Sequence, residues 1–224
     1  MTYRDRHDAG RQLAAELAMT GPADPVVLAL PRGGVPVAYQ VARVLQAPLD
    51  VLIVRKLGHP VQPEFAIGAL GEGGVRFLDD ASIDEFDIST RELQDVTEIE
   101  QAELRRRSQR YRRGRDPVPI EGRNVILVDD GLATGSSARA AVEVARQRGA
   151  AQVVLAVPVA PESAVAQLRR VADTVLCMQT PRWFGSVGSY YDDFEQTTDE
   201  EVARLLDRAE AQRTDATLPI SEVD

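Results

Sequence analysis

The chain has one cysteine, Cys177, in 224 residues, so no disulfide can close within it. That scarcity suits a reducing cytosol. It has two histidines, His7 and His59, with no metal-ligand spacing to each other or to Cys177, and no metal site is expected. No apolar run approaches the ~20 residues that span a bilayer, and the charged stretch 1–20 has no signal-peptide pattern. These absences lead us to expect a soluble, cytoplasmic protein with no membrane partner. Lysine is nearly missing: Lys56 stands alone, and every other strong base is arginine. Positive charge is in deficit overall. A formal net charge of −9 speaks against general nucleic-acid binding.

What is present is a chain long enough for one α/β domain and a real core. Short apolar runs alternate with helical patterns. Strands are predicted at Val26–Leu30, Leu49–Val54, Val125–Val128, Val153–Val157 and Thr174–Met178. Helices are predicted near Asp5–Met19, Val35–Leu45, Gly135–Arg148, Glu162–Val171 and Asp199–Ala211, with a polar tail from Arg213. Ser89-Thr90-Arg91-Glu92 has the capping-box pattern, and a long helix should follow it to a stop near Gly114. Glu64–Leu78 is rich in glycine and reads as a hairpin or a mobile loop. The pattern predicts a parallel sheet of about five strands covered by helices on both faces. Ligands of such sheets bind at the carboxyl ends of the strands, near a topological switch point.

One of those strand ends is chemically rich. Val125-Ile126-Leu127-Val128 runs directly into Asp129-Asp130-Gly131-Leu132-Ala133-Thr134-Gly135-Ser136-Ser137. Adjacent carboxylates can accept hydrogen bonds from vicinal hydroxyls. The glycines permit close backbone approach, the hydroxyls donate, and the free N–H groups of a new helix attract phosphate. A sugar phosphate fits that inventory. An ordinary βα turn with an acidic cap is the plainer alternative. The Walker A and dinucleotide-binding glycine patterns are both absent.

The stretch Val125–Gly135 resembles the PRPP-binding signature of the type I phosphoribosyltransferases. The motifs P-R-G-G-V-P-V-A and R-K-L-G resemble those of a broad bacterial group in that family. The likeness spans roughly Val26–Met178 and implies the type I fold, with a small hood and a flexible flap. One domain is expected over 1–212, its core at about 22–180 and its hood drawn from 1–21 and 181–212. By resemblance, Asp129 and Asp130 hold the ribose hydroxyls, while Ala133, Thr134, Gly135, Ser136 and Ser137 hold the 5′-phosphate. Arg32, Gly33 and Gly34 resemble the pyrophosphate loop, and Arg55 with Lys56 a basic pair that also meets pyrophosphate.

The flap would lie between the second and third strands, with some of Arg105–Arg115 and Tyr111 reaching pyrophosphate. The same segment also reads as the solvated end of a helix. Trp183-Phe184 and Tyr190-Tyr191 could stack on an acceptor base in the hood, or pack as its core. The implied reaction transfers phosphoribosyl between PRPP and a nitrogenous base or nucleotide, in nucleotide metabolism. Mg²⁺ would be held largely by ligand oxygens and water. A homodimer is one assembly the family allows. The alternative function is a non-catalytic regulator of the same fold that senses PRPP or nucleotides.

Overall fold

The computed structural model describes residues 2–63 and 65–217. Five parallel strands form the central sheet: β1 (Val26–Ala29), β2 (Leu49–Val51), β6 (Asn124–Val128), β7 (Gln152–Val159) and β8 (Thr174–Gln179), in the order β2-β1-β6-β7-β8. This is the expected sheet. Its side chains alternate between two apolar layers. Val27, Ala29, Ile126 and Val128 face one side; Val26, Leu28, Val125 and Leu127 face the other. Burial on both faces explains why these strands read as nearly unbroken apolar runs.

The first layer is covered by α1 (Arg6–Thr20), α2 (Gly34–Leu45) and α7 (Asp199–Thr217). The second is covered by α5 (Ser136–Gln147) and α6 (Glu162–Leu168). Asp5 caps α1 by accepting from the Asp8 N–H at 2.6 Å, and the Gly21 N–H closes it on the Leu17 carbonyl at 2.7 Å. α1 and α7 thus belong to the packed layer over the sheet. Helix α7 runs past Ala211, through Arg213, to Thr217; the rest of the expected polar tail, 218–224, lies outside the described residues.

The expected strand Leu49–Val54 is two elements. β2 ends at Val51, and the Leu52 N–H still donates to the Ala29 carbonyl at 2.9 Å. The chain then leaves the sheet. β3 (Val54–Gly58) pairs antiparallel with β4 (Ala66–Gly71), which pairs with β5 (Arg76–Leu78). No Gly or Pro interrupts 49–54, so the division left no local mark; the partner strand 66–71 decided it. Glu64–Leu78 is therefore a hairpin, except for Glu64, which lies outside the described residues. A short helix α3 (Asp80–Glu85) leads to α4 (Thr90–Arg112). The capping box forms: the Ser89 hydroxyl accepts from the Glu92 N–H, and the Glu92 carboxylate accepts from the Ser89 N–H at 3.0 Å. Arg113, at φ 50°, and Gly114, at φ 87°, end this helix.

Candidate functional site

The strand order reverses between β1 and β6, which sets the loops after Leu30 and Val128 side by side. The Leu30 N–H donates to the Val128 carbonyl at 2.8 Å. Gly33 and Gly34 then pass directly over the acidic pair. A Cβ on Gly33 would collide with the Asp130 carboxylate, and one on Gly34 would sit 2.6 Å from the Val128 carbonyl oxygen. Gly33 has ordinary helical torsions, φ −59° and ψ −34°. Space, not torsion, demands glycine here. The Pro31–Arg32 peptide is cis.

Asp129 and Asp130 are partly buried at the end of β6. The Asp130 N–H donates to Asp129 Oδ1 at 2.9 Å. Burial pushes the Asp129 carboxyl well above the usual carboxylate range, and the neighbouring Asp130 charge adds to the rise. Burial raises Asp130 as well, with the Arg6 guanidinium acting in the opposite sense. Two adjoining carboxyls that resist joint ionisation are a common mark of a binding or reacting centre.

The next segment turns outward. Leu132 is buried and anchors it, while Ala133, Thr134, Ser136 and Ser137 are exposed. Gly135 caps α5 at φ 78°, ψ 2°, a conformation in which side chains are strained. The Thr134 and Ser136 hydroxyls lie 3.1 Å apart. The Ser136 N–H also reaches the Thr134 hydroxyl, at 3.4 Å; hydroxyls and the amides of a helix start thus share one small surface, which suits a phosphate. A groove of about 690 Å³ continues from Thr134–Ser136 between α5, α6 and the β4–β5 hairpin.

The other predicted residues take varied positions. Arg32 stands in the glycine loop, 3.8 Å from Asp199 at the start of α7. Arg110 (3.1 Å) and the Tyr111 hydroxyl (3.0 Å) meet the same carboxylate. Arg55 lies within β3 and pairs with Glu100 of α4 at 2.6 Å. Lys56 is exposed in mid-β3, in register with Ala69, and not at the end of a core strand as expected.

The arginine-rich stretch is part of α4 and the turn after it. Arg106 and Arg107 pair with Glu103, and Arg113 and Arg115 with Asp207 of α7. Arg112 is buried on Asp50 and Glu72. Arg106 and Arg107 thus pair within the helix, while Arg112, Arg113 and Arg115 tie its end to other elements. In the aromatic segment, Tyr191 is buried against Tyr3, Phe184 stacks on Tyr190, and Trp183 is exposed.

Sequence reasoning missed three contributors to this region: Arg6, Tyr191 in its role at Asp130, and Asp199. Arg6 Nε donates to Asp130 Oδ2 at 2.7 Å, and the Tyr191 hydroxyl donates to the Asp130 carbonyl at 2.5 Å. One signal was available for Arg6. It is the first residue of a helix, where the macrodipole favours acids over bases.

A doubly wound sheet with an acidic pair, a glycine loop and a helix start at its switch point is an α/β arrangement whose ligands bind at the strand ends. A family model described as the phosphoribosyl transferase domain matches residues 3–195, and the chain belongs to that family, with its type I fold. Proteins from two strains of Mycobacterium tuberculosis, each named "Putative phosphoribosyl transferase", are 53% identical over 207 residues, covering 92% of this chain. The chain spans about half the length of these relatives, 47% of each. The crystal structure of TT1426 from Thermus thermophilus is 47% identical, with a TM-score of 0.84 over 92% of this chain and 98% of that one.

Proposed function

We propose that the chain binds PRPP and transfers its phosphoribosyl group to or from a nitrogenous base, with pyrophosphate as the other product or substrate. One observation carries this reading: the glycine loop lies on the acidic pair while the hydroxyl-bearing helix start opens beside it. Asp129 and Asp130 accept from the ribose hydroxyls. Ala133–Ser137 hold the 5′-phosphate through hydroxyls and the amides of α5. The loop of Arg32, Gly33 and Gly34 receives pyrophosphate, and Arg55 and Lys56 on β3 are proposed to add charge.

The bond between C1 and the pyrophosphate oxygen breaks as a nitrogen lone pair bonds to C1, and positive charge grows on the sugar ring. Placement and electrostatic stabilisation of the leaving group then carry most of the acceleration. Mg²⁺ is proposed as the companion of PRPP, and when bound it offsets the charge of the diphosphate. Among the described residues no group of three or more His, Cys, Asp or Glu is gathered for a metal. Substrate oxygens with water are its proposed ligands.

The test is pyrophosphate release from PRPP and Mg²⁺ across a panel of purine and pyrimidine bases, with Asp130→Asn as control. Release with one class of base, lost in the variant, is expected. PRPP binding without release against any base would overturn the transferase reading in favour of a sensor.

A further inference from the structure

Arg6 has no part in the function proposed above, yet it is tightly held beside the site. Its Nε meets Asp130 Oδ2 at 2.7 Å, and a terminal nitrogen donates to the Glu195 carbonyl at 2.7 Å. Its guanidinium lies 3.8 Å from the centre of the Phe194 ring. The side chain is only 11% exposed, and that of Asp130 only 13%.

The segment that carries Arg6 is fastened to the one that carries Phe194. The Tyr3 N–H donates to the Tyr190 carbonyl at 2.8 Å, and the Asp192 and Asp193 N–H groups donate to the Tyr3 and Arg4 carbonyls at 2.8 and 2.9 Å. The Tyr3 hydroxyl reaches the Pro158 carbonyl at the end of β7, at 3.0 Å. An arginine at a helix start gains nothing from the dipole. What it gains here is a buried carboxylate.

A ribose hydroxyl needs an ionised carboxylate oxygen aimed at it, and two adjoining buried carboxyls resist both being charged. We infer that Arg6 is the positioning residue of the acidic pair, holding Asp130 ionised through Oδ2 so that the pair can accept from the sugar. It does so from outside the sheet. The N-terminal segment, the 190–195 segment and the sugar carboxylate thereby become one mechanical unit. The charged and titratable groups facing Asp130 are Asp129 from its own loop, Arg6 from α1 and the Tyr191 phenol from the 190–195 segment. Arg32 in the adjoining loop is turned to Asp199. The sugar part of this inference rests on the phosphoribosyl reading; the Arg6–Asp130 linkage does not.

Carbon-13 NMR of the aspartate carboxyls, with Asp130→Asn for assignment, follows the Asp130 titration directly. In Arg6→Gln that titration should move to higher pH. Affinity for PRPP with Mg²⁺ should fall about tenfold or more at pH 7, and recover as pH rises. Arg6→Lys should restore most of both. Phe194→Leu, which removes only the ring, should lower Tm while the Asp130 titration stays in place. In the wild-type protein, the Arg6 Nε nitrogen signal should shift with the same midpoint as the Asp130 carboxyl. Separate midpoints there, or an Asp130 titration unmoved in folded Arg6→Gln, would overturn the assignment. The first of these needs no variant to fold. If wild-type protein binds no PRPP, the phosphoribosyl reading falls, and the titration still decides the role of Arg6.

Discussion

At the scale of single residues, burial and charge work against each other in the acidic pair. The Asp129 carboxyl is held above its ordinary range by burial and by Asp130. Between the unfolded value and the raised folded one, the folded chain therefore binds more protons than the unfolded chain. The stability from that proton is fully present below the unfolded value, about 3.9, and is lost as pH rises through the raised folded value. Asp129→Asn keeps the shape and removes the charge. It should be more stable than wild type at neutral pH, by about 0.5–2 kcal/mol, with a flatter dependence of Tm on pH above about 4. PRPP affinity should fall with it, since a charge-assisted acceptor is worth about 1.5–3 kcal/mol. Paired melting curves and calorimetry check both. A destabilised variant with normal affinity would show that Asp129 is structural.

Lys56 is a second residue-scale question. The chain writes every other strong base as arginine, yet places this compact ammonium, exposed, in mid-β3. An ammonium fits a narrow anion site that a planar fork would crowd. If Lys56 meets pyrophosphate, Lys56→Arg should lower turnover and Lys56→Ala lower it further, with Tm little changed in either. Wild-type kinetics in the arginine variant would make the lone lysine accidental.

At the scale of elements, α4 organises the region between β2 and β6. Arg112, 3% exposed, donates to Asp50 in β2 at 2.8 Å, to Glu72 in the β4–β5 turn at 2.7 Å and to the Val51 carbonyl at 2.8 Å. One guanidinium thus ties a core strand, the hairpin and the helix. The glycine-rich turn at Gly71–Gly74, in the segment that reads as a hairpin or a mobile loop, is consequently pinned through Glu72, which is 5% exposed. Only the turn's outer glycines, Gly73 and Gly74, face open space. Removing one partner leaves the others charged and buried, which costs about 3–5 kcal/mol. Arg112→Leu should therefore lower Tm by roughly 6–20 °C in a chain of this size. A smaller loss in the triple variant Asp50→Asn, Glu72→Gln, Arg112→Leu would show that the penalty comes from unpaired charge. Equal losses would point to packing of the long side chain instead.

For the whole molecule, the two apolar layers and the α4–α7 seam hold the sheet rigid behind the site, so binding should register as global stabilisation. A ligand at about 100 times its Kd adds about 2.7 kcal/mol, which moves Tm by roughly 5–11 °C in a chain of this size. PRPP with Mg²⁺ should produce such a shift, and ribose 5-phosphate alone a smaller one. No shift with PRPP at millimolar concentration would remove it as a ligand.

The five-stranded sheet, its covering helices and the acidic pair with its glycine- and hydroxyl-bearing loop follow from sequence alone. Each is written locally: apolar runs buried on both faces, a capping box at Ser89–Glu92, and carboxylates, glycines and hydroxyls within one βα turn. Tertiary structure decided where the second strand ends, because 49–54 is apolar throughout except for Asp50, and only pairing with 66–71 divides it. It also decided what the arginines do. Arg105–Arg115 read from sequence as flap residues or as the solvated end of a helix; α7 supplies Asp199, Glu200 and Asp207 as partners, and the core supplies Asp50 and Glu72. Arg6 and Asp130 lie 124 positions apart, so no local pattern joins them. Their contact exists because α1 packs on the sheet beside the switch point, where electrostatic attraction across a buried gap, not chain proximity, chooses the partner.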